Sequence, residues 1–180
     1  LFDELAVRIQ RAGASVLQLE QSADSFDGRL VCLLSALTAL RRQGVQRMAL
    51  IGWHSGAALA IAAGSASESV TGVAALAPDT SCADLVAEVA PRRLLLMHGS
   101  ADNVVPSVAS RLLYARALEA ESDVPRALEQ YAAVARYYAG AEAPLRYAQL
   151  LRASGSHDEA RRVLKELLDN ARVAPRYYRR

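Results

Sequence analysis

The sequence predicts an α/β chain. A partial parallel sheet with helices on both faces occupies residues 1–106, and an all-α helical-repeat segment occupies residues 107–180. Three observations carry this. Short apolar runs alternate with helical patterns in the first half only. Eight of the ten glycines precede residue 107, whereas all seven tyrosines follow it. The second half repeats itself at an offset of 33 residues, a period typical of helical solenoids.

The elements follow in order. Residues 2–11 place Phe2, Leu5, Ala6 and Ile9 at helical spacing. Residues 15–20 (SVLQLE) alternate and predict a strand. Residues 29–42 form a helix with Leu30, Leu33, Leu34, Leu37 and Leu40 along one side, and Cys32 reads as a small buried group on it. Residues 47–52 predict a buried strand, 56–63 a helix of small residues, 70–77 a strand, 82–90 a short helix and 92–99 a fourth strand. Near-continuous apolar strands separated by helices indicate a parallel sheet covered on both sides. Ligands of such sheets bind at the carboxyl ends of the strands. Those ends are residues 20–25, 52–56, 78–81 and 99–105.

In the repeat, Tyr114 aligns with Tyr147, Ala115 with Ala148, Ser122 with Gly155, Ala127 with Ala160 and Tyr131 with Leu164. Each unit reads as two helices around a turn, at 122–124 and 154–157. The alanines let paired helices approach closely. Tyr114, Tyr131 and Tyr147 read as core residues. A weaker third start lies at 174–178, and the run from Arg176 to Arg180 reads as a solvated terminus.

Composition narrows the function. Of 180 residues, 52% are apolar, enough for a packed core. No apolar run is long enough for a membrane span, and no secretory pattern opens the sequence. The net charge of +2 gives no footprint for nucleic acid. Two cysteines and three histidines form neither a disulfide framework nor a zinc spacing. No phosphate-cradling glycine loop occurs. The expectation is a cytoplasmic chain with no cofactor, metal, nucleic acid or membrane partner.

Two segments carry a family resemblance. Residues 49–56 (ALIGWHSG) fall where a strand, a sharp turn and a helix present a nucleophile in the pattern G-x-S-x-G. Residues 94–106 (LLLMHGSADNVVP) match a strand and loop that present the acid of a triad, and Leu76-Ala77-Pro78 fits between them. Over residues 1–117 the chain resembles the α/β-hydrolase superfamily, especially dienelactone hydrolases and small esterases. Over residues 108–180 it is similar to tetratricopeptide repeats, with about two units. The first resemblance implies a carboxylic-ester hydrolase with a small ester substrate. The second implies a protein or peptide partner.

The candidate catalytic residues are His54, Ser55 and Asp102. The turn needs small residues two before and two after its apex. With residue 54 at the apex the flanks are Gly52 and Gly56; with Ser55 there, they are Trp53 and Ala57. Sterics therefore put His54 at the apex and Ser55 one step late. The resemblance makes Asp102 the acid that orients a histidine; its own setting also fits a turn residue that binds backbone amides. After Asp102 the only histidine is His157, in a repeat turn. His98 reads as a structural hydrogen-bonder. The expected function is a hydrolase-like protein with a degenerate elbow, weak or inactive as an esterase, with a helical repeat for protein interaction. Alternatives are an active serine esterase using Ser55 and Asp102, or a fragment or join of two unrelated pieces near residues 110–121.

Overall fold

The computed structural model describes residues 2–20, 25–137 and 140–173. The third repeat start at 174–178, the Arg176–Arg180 run and part of the 20–25 strand end lie outside them.

Helix α1 spans Phe2–Arg11 and α2 spans Phe26–Arg42. Ser25 caps α2, its Oγ accepting from the Gly28 amide at 3.1 Å. Asp27 in the first turn and Arg41 and Arg42 in the last complement the helix dipole. Strand β1 (Met48–Trp53), helix α3 (Ser55–Ala66) and strand β2 (Val70–Leu76) then form a β-α-β unit. The expected short helix is a 3₁₀ segment, Ala83–Val89, before strand β3, Arg93–Met97. The three strands are parallel in the order β1-β2-β3.

Helix α3 is apolar on all sides because it is enclosed on all sides, from Ala57 to Gly64. It lies on β1 and β2 and against the 3₁₀ segment, with α2 packed on its flank. The approach to the sheet is close: a Cβ on Gly64 would stand 2.4 Å from a methyl of Val73.

Two expectations need correction. Residues 15–20 form no strand and belong to no ladder; Gln18 donates to Asp3 of α1 at 3.3 Å, and Leu17 and Leu19 face solvent. Alternation sets the period of a strand, but only a partner satisfies its amides. Second, the described helices do not cover both faces. α2, α3 and the 3₁₀ segment pack against one another on one side, and α4 joins them there. On the other side Ile51, Trp53, Leu95 and Met97 are exposed, the last three by more than half. Helix α1 reaches that side at Trp53, whose ring centroid lies 6.5 Å from that of Phe2. Cys32 is also exposed, and Cys82 is the buried thiol.

After β3 the described residues form four helices: α4 (Val108–Ala120), α5 (Val124–Ala135), α6 (Glu142–Ala153) and α7 (His157–Val173). Each packs on the next, making two hairpins. The aligned turn residues Ser122 and Gly155 share a left-handed backbone, with φ of 62° and 88°. Ala115, Ala127, Ala148 and Ala160 are buried between helices, as expected. Tyr131 and Tyr147 are buried too. Tyr114 is not; it is 36% exposed and lies under the Arg126 guanidinium, 5.8 Å from ring centroid to carbon.

The buried residues form two cores. One gathers α2, α3, the sheet and the 3₁₀ segment. The other gathers the four later helices. Helix α4 serves both: Leu113 belongs to the first, while Leu112, Ala115 and Leu118 belong to the second.

Candidate functional site

The turn from β1 into α3 has the strained form that the glycine spacing predicts. His54 sits at its apex with φ 59° and ψ −124°, and Ser55 is the first residue of the helix. A non-glycine residue there is held by its surroundings. The His54 amide donates to the Leu76 carbonyl at 2.9 Å, and its own carbonyl accepts from Ala57 at 3.0 Å. Of the two glycines only Gly52 is sterically required. A Cβ on Gly52 would meet the Gly56 carbonyl oxygen at 2.0 Å; one on Gly56 would meet nothing within 4 Å. Trp53 turns its ring onto His54, edge to face, with centroids 5.9 Å apart.

Ser55 lies off the apex and is exposed. Its Oγ accepts from the Arg29 guanidinium of α2 at 3.3 Å.

Asp102 stands in the loop after β3. Its Oδ1 accepts from the amides of Val104 and Val105, both at 2.9 Å, and its Oδ2 lies 3.6 Å from Nε2 of His98. The Val105 and Val104 amides hold its pKa below the ordinary carboxylate value. Desolvation opposes this, and electrostatic interaction with His98, then His54, adds to it. His54 and Asp102 thus share the carboxyl edge of the sheet, where the topology brings loop residues together.

His98 is the residue that ties this edge down. Its side chain is only 5% exposed. Nε2 lies 2.8 Å from the Val105 carbonyl and Nδ1 lies 2.6 Å from Ser110 Oγ in α4. A carbonyl only accepts, so the neutral ring carries its proton on Nε2 and takes the Ser110 hydroxyl proton on Nδ1. Ser110 and its partnership with His98 were not legible from spacing, because the two lie twelve residues apart across a loop. The Ser110–His98–Asp102 grouping has the residue types of a proton relay. Ser110, however, is buried within the first turns of α4, and both histidine nitrogens are committed. The grouping fastens β3 to α4.

His157 opens α7, is exposed, and sits on a helix that packs on α6. Among the described residues no histidine is hydrogen-bonded to Ser55, and no group of three or more His, Cys, Asp or Glu side chains could hold a metal ion. Cys82 gives its thiol proton to the Ala58 carbonyl at 3.1 Å, and burial pushes its pKa to about 11, so it is no nucleophile at neutral pH.

A cleft of about 650 Å³ lies beside this edge, between β3, the 3₁₀ segment and α4. His98 and Ser110 stand in its wall. No described helix is long and apolar enough to cross a membrane. No family model, curated protein or solved structure matches the chain.

Proposed function

We propose that this is an α/β-hydrolase-like protein whose elbow no longer performs acyl transfer, joined to tetratricopeptide-like hairpins that engage a protein or peptide. One observation carries the reading: the apex of the elbow holds an imidazole, and the neighbouring hydroxyl is turned to Arg29. Acyl transfer needs a nucleophile at the apex and a base within hydrogen-bond reach of it. Ser55 has neither position nor base. Asp102 spends Oδ1 on two loop amides, which is the bonding of a turn residue. The hairpins support the binding half through their repeated turn geometry and their closely packed alanines.

The test is hydrolysis of p-nitrophenyl acetate by the unaltered chain, by Ser55→Ala and by His54→Ser. The expected result is no saturable turnover by any of the three, because His54→Ser restores a hydroxyl at the apex but supplies no base. Saturable turnover by the unaltered chain, abolished in Ser55→Ala, overturns the reading in favour of a working serine esterase. Labelling of Ser55 by a fluorophosphonate would do the same.

A further inference from the structure

Among the described residues β3 is an edge strand, paired with β2 alone. The Met97 carbonyl accepts from the Ala77 amide at 2.7 Å, so Met97 turns its backbone groups toward β2. In a parallel ladder alternate residues point their N–H and C=O groups to opposite sides. Leu94 and Leu96 therefore present theirs to the free edge. The usual cover for such an edge is a helix or a charged rim. Here α4 leans on the 3₁₀ segment and scarcely touches β3. The space left between them is the cleft described above.

The groove has a charge. The His98–Ser110 bond pins the end of β3 to the start of α4. Arg92, Arg93, Arg111 and His98 are among the groove's lining residues. Among the described residues Glu121 is the one acidic residue in the lining. Arg92 binds the backbone carbonyls of Glu88 and Val89. Arg93 and Arg111 form no ion pair among the described residues and are exposed. Leu94, Leu96 and Tyr114 give the groove apolar surface.

We propose that this groove binds an extended acidic peptide, which adds to β3 as a fourth strand. Strand addition takes its affinity from main-chain hydrogen bonds and its selectivity from side-chain contacts on alternate residues. The outward groups of Leu94 and Leu96 supply the first. Arg93 and Arg111 supply the second. The matching peptide carries carboxylates on either side of a β-branched core. The inference rests on the interaction half of the proposed function and narrows it to one groove.

The experiment uses the full chain and a fluorescein-labelled heptapeptide with Glu near each end of a Val/Thr core, read by anisotropy. Controls are the same peptide with Lys for Glu, and one N-methylated at alternate core residues. The expected result is saturable binding of the acidic peptide, about tenfold weaker in Arg93→Glu and in Arg111→Glu and largely retained in Arg111→Lys. N-methylation abolishes binding, and so does the Lys peptide. Both arginines are exposed, and circular dichroism checks that the variants fold. Equal binding of acidic and basic peptides, or no binding at all, overturns the proposal. Binding indifferent to Arg93 and Arg111 overturns the groove but leaves an interaction role elsewhere standing. Self-association of the chain that blocks the peptide assigns the edge to a second copy and likewise overturns it. None of these outcomes bears on the ester assay.

Discussion

A Cβ added to Gly52 meets backbone, which cannot swing aside, whereas one added to Gly56 projects into open space. Gly52→Ala should therefore cost about 3 kcal/mol or more. Gly56→Ala, in the first turn of a helix, should be neutral or stabilising by up to about 1 kcal/mol. Urea unfolding of the pair separates the two glycines of one motif. Asp102 makes a different residue-scale prediction. Its pKa is lowered in the fold by the Val105 and Val104 amides. Its carboxylate thus contributes stability above the unfolded value of 3.8, and that contribution is lost as pH falls through the lower folded value. Asp102→Asn should be less stable than the unaltered chain at neutral pH. The gap should close as both are taken into acid below pH 3.8. A gap independent of pH would mean that the charge plays no part.

Within the hairpins one carboxylate joins three helices. Glu119 of α4 accepts from the Tyr131 hydroxyl of α5 at 3.0 Å and from Arg146 of α6 at 2.7 and 3.0 Å. Tyr131 is wholly buried, and burial, then the Glu119 charge, raises its pKa far above the usual phenol value. Tyr131→Phe should cost about 1 kcal/mol, because it removes one hydrogen bond and keeps the ring. Glu119→Ala should cost about 2–3 kcal/mol, because it strands the buried hydroxyl and a guanidinium together. Thermal unfolding of the two variants tests that order. The elements themselves were largely legible. The leucines of α2 and the alanines of the hairpins announce helices by spacing alone, and the elbow announces itself by sterics at Gly52. Strand β3 shows where legibility stops. Its run of three leucines reads as buried on both sides, yet Leu94 and Leu96 face the core while Leu95 faces solvent. A sequence gives the polarity of a strand, not the presence of a layer above it. Segment 15–20 fails likewise, for want of a partner. The His98–Ser110 tie lay beyond reach because it depends on how the loop between them closes.

At the scale of the molecule, the sheet leaves Leu95 and Met97 of one face exposed and, among the described residues, pairs no strand beyond β1 or β3, while its other face is covered by helices that hand over to the hairpins through α4. Adjacent residues of that helix serve opposite masters: Leu113 packs toward the sheet and Leu112 toward the hairpins. Arg116 adds a clasp on the sheet side, reaching Asp84 and the Ala83 carbonyl of the 3₁₀ segment. Neighbouring side chains on a helix diverge by about 100°. The mutual orientation of the two halves is therefore an angular phase stored in one helix rather than a property of a hinge. One alanine inserted after Tyr114 would turn Ala115, Ala117 and Leu118 by that angle while leaving Leu112 and Leu113 in place. The chain could then seat α4 correctly against one half only. Amide spectra should show well-dispersed signals from one half and collapsed signals from the other, whereas an alanine inserted in the turn at 121–123 should leave both intact. The molecule behaves as a keyed shaft: it tolerates extra length beside the key and fails when the key itself is rotated.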